Sequence, residues 1–248
     1  MTKRNIDDIL QFRSDISPFL VHLTRKGDNG EKAFEKLVSI LDSFALVPGK
    51  TEVSIIKYGG NTTSFSSKQK RKFFSSVCFT ETPLDETHCL LEIKARKVDL
   101  EPYGVVFLKR KLQRKGVSPV LYINNEAGDK DKLIQALFEL IKSRPAEAKK
   151  ILPLFSIFGK MITPHGAKNV DRTIDFLWER EWRYPAAFGP FEFGLSDVFV
   201  GLCPDEDIKY FEKHYAPLKF IDPRRPLKWY ATRLRRAKAR LDLEYSIF

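Results

Sequence analysis

Short stretches with strand-like alternation are interspersed with amphipathic helices along this chain, without a regular strand–helix repeat. The stretch FLVHLTR (19–25) alternates as a strand does, with Phe19, Val21 and Leu23 on one face. Apolar residues then recur at helical spacing over 30–46. Further strand patterns follow at 76–84, 103–109, 119–124 and 198–204. Because a doubly wound sheet needs regular alternation, this order predicts an α+β fold with mixed β-sheets and flanking helices.

No internal repeat or low-complexity linker divides the 248 residues, which suffice for one large domain and a substantial core. The stretch 58–74 is rich in Gly, Ser, Thr and Lys, and we predict it to be a mobile loop inside that domain. Residues 130–158 indicate two helices broken at Pro145. We therefore predict a single domain over 1–222 and a separate C-terminal helix over 223–248.

The C-terminal segment concentrates the positive charge of the chain. The net charge is +11, and residues 222–240 hold eight Lys or Arg against one acidic residue. Apolar residues recur there at helical spacing, at Leu227, Tyr230, Leu234, Ala237 and Leu241. The segment is therefore predicted to be an amphipathic helix with a basic outer face, which either attracts nucleic acid or is simply solvated. The residues predicted to contact nucleic acid are Arg224, Arg225, Lys228, Arg235, Arg236 and Arg240.

Several kinds of site find no support in the sequence. Gly-rich nucleotide loops, GxSxG, HExxH and the kinase signatures are absent. The three cysteines are widely spaced and the four histidines lack zinc-ligand spacing, so no metal site is predicted. The charged N-terminus does not resemble a secretory signal, and no apolar run is long enough to span a membrane. We expect a soluble, cytoplasmic protein with no membrane partner.

The stretch DFLWEREWRYP (175–185) places charged residues among two tryptophans. If 176–184 is extended, Glu179, Glu181 and Arg183 share one face, and the tryptophans pack on the other. Two carboxylates on one face repel, so one pKa should rise unless a cation such as Arg183 lies between them. The pattern fits either a Glu–Arg ladder between strands or half of an active site.

A second candidate is the early strand, where His22 and Thr24 share a face. A buried histidine with a satisfied ring is commoner than a catalytic one, so this pair is also compatible with a purely structural role.

The order of five stretches resembles the AbiGi-like family of abortive phage-infection proteins over roughly residues 10–205. The stretches are FLVHLTR (19–25), EKLVSILDSFAL (35–46), VCFTETPL (77–84), YGVVFLKRKLQRKGVSPVLYI (103–123) and DFLWEREWRYP (175–185). More remotely, the layout resembles DarT-type ADP-ribosyltransferases. Those proteins open with a strand carrying His and Thr, continue with a helix, and place a catalytic Glu on a late strand.

The second resemblance implies an ADP-ribosyltransferase-like fold with NAD as substrate. Cleavage of the nicotinamide–ribose bond passes through an oxocarbenium-like state, which a carboxylate at the ribose 2′-hydroxyl would stabilise. The resemblance makes Glu181 that catalytic carboxylate, with Glu179 orienting the acceptor or forming a salt bridge. It implies that NAD is bound by His22 and Thr24 at the ribose and by Phe79 or Tyr103 at nicotinamide. Arg183 would either pair with the diphosphate or simply hold Glu179. The stretch FTETP (79–83) is a departure, because many toxin transferases carry an aromatic-Ser-Thr motif.

The AbiGi resemblance also implies that this chain is itself the antitoxin-like partner in a two-component system, a role that would need no catalysis. Three functions therefore stay open. The first is an NAD-dependent ADP-ribosyltransferase that defends against phage by modifying nucleic acid or protein. The second is an antitoxin or sensor that binds nucleic acid or a cognate toxin or antitoxin. The third is a nuclease that holds Mg²⁺ on Asp175, Glu179 and Glu181, although the neighbouring Arg180 and Arg183 disfavour a cation site.

Overall fold

The structure, a computed structural model, describes residues 15–27, 30–49, 66–93, 99–124, 130–165, 168–174 and 177–243. The chain divides into two compact units. The first unit comprises Met1–Ala45, Phe79–Lys115 and Glu192–Phe248, and the second comprises Leu46–Cys78 and Gly116–Phe191. The C-terminal helix is part of the first unit, and a domain boundary at residue 222 stays a prediction.

Helices and strands are mixed along the described residues, which confirms the α+β class. The strands are β1 (Phe19–Arg25), β2 (Ala45–Leu46), β3 (Ser76–Thr80), β4 (Leu100–Leu108), β5 (Ser118–Pro119), β6 (Leu121–Asn124), β7 (Phe155–His165), β8 (Lys168–Ile174), β9 (Glu181–Pro185), β10 (Phe191–Glu192), β11 (Val198–Leu202) and β12 (Phe220–Ile221). The α-helices are α1 (Ala33–Ser43), α2 (Ser67–Phe74), α3 (Lys109–Arg114), α4 (Lys130–Ser143), α5 (Pro145–Ile151), α6 (Ile208–His214) and α7 (Ala231–Arg240). Short 3₁₀ helices span Leu84–Leu90, Leu152–Leu154, Leu177–Glu179, Ala186–Phe188, Asp205–Asp207 and Leu227–Tyr230.

The first unit is built on β4, whose last residues are all buried apolar side chains. Strand β4 pairs antiparallel with β1 on one side and with β11 on the other. Strand β12 then joins β11 in parallel, and β1 pairs antiparallel with the end of β3 through Val21 and Thr80. Helix α1 packs on β1 and β4, and α7 packs on β11. A run of apolar residues without alternation is typical of a strand covered on both faces, and β4 and β11 have that character.

Two glycines permit close approach inside this sheet. A Cβ on Gly104 would lie 2.3 Å from the backbone oxygen of His22, and one on Gly201 would lie 2.0 Å from the Phe220 ring. Any side chain at either position would therefore push neighbouring strands apart.

The second unit contains a three-stranded sheet in which β6 runs parallel and β8 antiparallel to the central β7. Strand β9 lies between β3 and β5, and it pairs antiparallel with β5. An apolar cluster fills this unit, formed by Phe73, Phe74, Ile123, Ile134, Leu137, Ala148, Leu152 and Ile157. The two helices predicted over 130–158 are confirmed, with the break at Arg144 immediately before Pro145.

The prediction of a loop through residue 74 is wrong, because Ser67–Phe74 is helix α2. Ser66 caps this helix by accepting from the backbone N–H of Gln69, and the Gln69 side chain accepts in return from the N–H of Ser66. The earlier part of the predicted loop, 58–65, lies outside the described residues. Among the helices that the structure describes, none has the length and apolar content needed to cross a membrane.

Candidate functional site

The charged stretch before and within β9 is not one extended strand. Leu177–Glu179 is a turn of 3₁₀ helix, closed by a hydrogen bond of 3.0 Å from the Arg180 N–H to the Leu177 oxygen. Arg180 then takes a left-handed backbone conformation with φ 45°, and β9 begins at Glu181. The condition of an extended chain over 176–184 is therefore not met at 177–180, because a turn precedes the strand.

Glu181 and Arg183 form a buried ion pair along β9. The Arg183 Nε donates to Glu181 Oε1 at 2.9 Å, and Nη2 donates to Oε2 at 2.6 Å. The side chain of Arg183 is 3% exposed and that of Glu181 is 13% exposed. The remaining arginine nitrogen, Nη1, donates to the carbonyls of Pro153 at 2.7 Å and Phe155 at 3.2 Å. The pair therefore ties β9 to the start of β7 within the second unit.

Burial and the charges of this ion pair together shift the pKa values of Arg183, Cys78 and Tyr122. Burial by itself would lower the pKa of Arg183, but the Glu181 carboxylate outweighs it and the pKa lies above its ordinary value. Burial, reinforced by the negative charge of Glu181, raises the pKa of the Cys78 thiol to about 12. The same two causes, burial first, raise the pKa of Tyr122 above its ordinary value. The site thus holds one neutralised charge pair among groups that stay protonated at neutral pH.

The arrangement corrects two sequence predictions about this stretch. Glu181 and Arg183 do share a face of β9, but Glu179 belongs to the preceding turn, so Arg183 pairs with Glu181 instead of lying between two carboxylates. The tryptophans do not form one packed face either, since Trp182 is buried and Trp178 is 44% exposed. Asp175, required for the predicted Mg²⁺ site, lies outside the described residues.

The residues predicted to bind the NAD ribose lie in the first unit, on β1. The Thr24 hydroxyl is buried, where the Tyr103 carbonyl accepts from it at 3.1 Å and the Ala33 carbonyl is 3.3 Å away. It therefore joins β1 to β4 and to the start of α1. His22 is half-buried, and its ring lies edge-on to Phe79 with 5.8 Å between ring centroids.

The two aromatic residues predicted to stack on nicotinamide have different surroundings. Phe79 is 2% exposed and packs edge-on against Phe107, so it is a core residue of the first unit. The Tyr103 hydroxyl donates to Asp207 at 2.7 Å. Burial and this carboxylate together raise the pKa of Tyr103 above its ordinary value. Stacking of either ring on nicotinamide stays a prediction, and the burial of Phe79 leaves little of that ring open to a ligand.

The C-terminal segment forms the predicted amphipathic helix, with Tyr230, Leu234 and Ala237 buried. Two of its predicted nucleic-acid contacts are held within the first unit. Arg240 donates to the carbonyls of Leu195, Val198 and Phe199 at 2.6–3.1 Å, and burial lowers its pKa. Arg224 forms a forked pair with Asp222, with its closest hydrogen bond at 2.6 Å.

The other predicted contacts lie on the surface. Arg225, Lys228, Arg235 and Arg236 are exposed. The guanidinium of Arg225 lies 5.3 Å from the ring centroid of Trp229, which is itself 59% exposed. The structure thus separates two residues held by Asp222 or by backbone carbonyls from four others at the surface, although Arg224 is itself 48% exposed at its side chain.

Buried charges, among them Lys109 and Asp222, were missed from the sequence. Lys109, 7% exposed at its side chain, donates to Glu81 at 2.8 Å in the first unit. The side chain of Asp222 is 1% exposed. Burial alone would raise the pKa of its carboxyl, but hydrogen bonds from Arg224 and from the Asp205 N–H outweigh burial and lower that pKa from its ordinary value of 3.8. Their positions in the sequence could have identified both residues. Lys109 and Asp222 each directly follow a buried strand, where a charge must be paired. No group of three His, Cys, Asp or Glu side chains suited to a metal ion occurs among the described residues.

A family model described as "Putative abortive phage resistance protein AbiGi, antitoxin" matches residues 54–194, more than half of the chain. The chain belongs to the AbiGi family. No curated protein and no solved structure matches it, so the remoter resemblance to DarT-type transferases finds no support there.

The matched segment of this AbiGi chain contains the Glu181–Arg183 pair and the Lys109–Glu81 pair. His22, Thr24 and the basic C-terminal surface lie outside it. The predicted match over roughly 10–205 is thus confirmed for its central part.

Proposed function

We propose that this AbiGi protein is a non-catalytic antitoxin of an abortive-infection system and acts by binding a cognate toxin protein. The family description supports the antitoxin role. The observation that carries the non-catalytic part is the state of Glu181, whose two carboxylate oxygens both accept hydrogen bonds from Arg183. In this arrangement the carboxylate serves as the counter-ion of a buried arginine.

The alternative is an NAD-dependent ADP-ribosyltransferase in which Glu181 acts at the ribose 2′-hydroxyl. A substrate hydroxyl would have to displace Arg183 from Glu181 or reach the remaining lone pairs of a carboxylate that is only 13% exposed. Displacement would leave a guanidinium that is 3% exposed without its counter-ion, at a cost of about 3–5 kcal/mol. Thr24 and Phe79, which would contact NAD, are also engaged in the core. The contacts of all three residues favour the binding role.

Co-purification tests the proposed partner. The tagged chain is expressed together with the product of the gene adjacent to its own, and the mixture is resolved by size-exclusion chromatography. We expect the two proteins to elute as one complex. Separate elution of two folded proteins would contradict the antitoxin proposal.

NAD consumption tests the absence of catalysis. Labelled NAD is incubated with the purified chain and with the variant Glu181→Gln, and both NAD loss and label transfer to protein or nucleic acid are measured. We expect neither protein to exceed the rate of buffer. NAD loss by the wild-type chain that disappears in a folded Glu181→Gln variant would establish the transferase instead.

A further inference from the structure

Exposed basic residues and the exposed Trp229 occur together in the C-terminal segment of the first unit. We define the Trp229 surface as Arg225, Lys228, Trp229, Arg235 and Arg236, all of which are exposed. We propose that the Trp229 surface binds single-stranded nucleic acid, with the indole stacking on an unpaired base and the cations contacting phosphates. This inference goes beyond the proposed antitoxin function, which requires only a protein partner.

The indole of Trp229 is not used to hold the helix in place. Its neighbour Tyr230 is buried instead, and the Tyr230 hydroxyl donates to Asp205 at 2.7 Å. Leu234 and Ala237 complete the buried stripe of this segment. A tryptophan left 59% exposed beside a buried stripe is an aromatic surface available to a ligand.

The cations beside the indole differ from their neighbours in the same segment. Arg224, Arg233 and Arg240 are held by Asp222, by Glu212 and by backbone carbonyls, respectively. Arg235 and Arg236 are exposed on α7, and Lys228 and Trp229 are exposed on the 3₁₀ helix that precedes it. Exposed cations therefore occur on both sides of the junction at Tyr230. The guanidinium of Arg225 lies over the indole and keeps positive charge at its face.

This combination favours a single strand over other polyanions. Proteins that bind single strands combine a basic track with aromatic side chains on which bases stack. A duplex keeps its bases stacked on each other, so it would use the cations but not the indole. A membrane surface would require an outward apolar stripe, whereas the apolar stripe of this segment is buried.

Fluorescence polarisation tests the proposal by measuring the affinity for three labelled ligands. They are a 12-nucleotide oligothymidylate, a 12-nucleotide oligouridylate and a duplex of equal length. Base stacking is worth about 1–3 kcal/mol on truncation, so Trp229→Leu should weaken single-strand binding at least about fivefold, while Trp229→Phe retains it. Arg235→Glu with Arg236→Glu should lower the slope of log affinity against log salt by about 1.4 in magnitude. Because the Trp229 side chain is exposed, its variants should keep the wild-type circular dichroism spectrum and melting temperature.

Matched controls separate this surface from general charge and exposed aromatic effects. Lys68→Glu with Lys142→Glu changes the net charge equally at exposed sites of the second unit, and Trp178→Ala removes another exposed indole. We expect both control variants to bind single strands as tightly as the wild type does. Comparing the affinities for oligothymidylate and oligouridylate shows whether DNA or RNA is preferred. Any of four results would overturn the proposal. Two concern the wild-type chain: no binding at low salt, or tighter binding of the duplex than of the single strands. The other two concern variants: unchanged affinity in Trp229→Leu, or an equal loss of affinity in the charge-matched control. Protection of Trp229 only in a complex with a toxin protein would assign the surface to that partner and overturn it as well.

Discussion

Replacing Glu181 with alanine is expected to destabilise the chain by about 3–5 kcal/mol, because the charge of Arg183 would remain buried without a counter-ion. Arg183 is 3% exposed at its side chain, so bulk water does little to solvate its charge in the folded chain. The substitution also removes acceptors at 2.9 and 2.6 Å from two guanidinium nitrogens, whereas the Pro153 and Phe155 carbonyls satisfy only the third nitrogen, Nη1. The expected loss is therefore that of a broken buried pair, well above the 0–1 kcal/mol of a surface ion pair.

Urea unfolding followed by circular dichroism measures this loss. The control is Glu192→Ala, which removes an exposed carboxylate from another strand and should change the free energy of unfolding by no more than about 0.5 kcal/mol. The double variant Glu181→Leu with Arg183→Met removes both charges together. It should be destabilised by less than the sum of the two single changes, because neither charge is then left alone.

Two results would refute this reasoning. A loss below about 1 kcal/mol in Glu181→Ala would mean that the pair contributes no more than an exposed one. Strict additivity in the double variant would mean that the two side chains are not energetically coupled. Either result would free Glu181 from its structural role and reopen a catalytic one.

Three further predictions follow from the packing and ionisation of particular residues. Gly104→Ala should lower the free energy of unfolding by about 1–3 kcal/mol, because its Cβ would meet the His22 oxygen. The control Gly194→Ala should change the free energy of unfolding little, because a Cβ there meets nothing within 4 Å. Equal effects of the two substitutions would refute the close approach at Gly104. The folded pKa of Asp222 lies below 3.8, so its stabilisation is complete above that pH and is lost as the pH falls through the folded value. The stability difference between wild type and Asp222→Asn in urea titrations should therefore shrink below about pH 3.8, and a constant difference would contradict this. At about pH 8 the thiol reagent DTNB should label the exposed Cys89 first. A pKa of about 12 leaves only ~1 in 10,000 of the Cys78 thiol ionised at that pH. A fast labelling phase that survives Cys89→Ser would contradict this prediction.

Local sequence patterns were sufficient to predict the bounds of several elements. The alternation of FLVHLTR placed β1 over residues 19–25, and Pro145 marked the break between α4 and α5. Helix α2 was mistaken for a loop because its first six residues are all polar or charged, and its N-terminal capping signal, Ser66 followed by Gln69, was overlooked.

The candidate site could be predicted only in part, since the roles of charged residues depend on long-range contacts. The i, i+2 spacing of Glu181 and Arg183 was enough to place both on one face of a strand. The carbonyls of Pro153 and Phe155, which make Arg183 a structural residue, are about thirty positions away and carry no sequence signal. Likewise, the spacing of Arg240 matched an outer basic face, but the carbonyls of β11 hold it in place.

The central claim is that this AbiGi chain neutralises a toxin without catalysis, and growth of cells tests it most directly. The product of the gene adjacent to its own is expressed alone, and the same product is then expressed together with this chain. We predict growth arrest by the neighbour alone and recovery of growth on co-expression. Growth arrest by this chain itself, relieved by the neighbour, would reverse the roles and contradict the account.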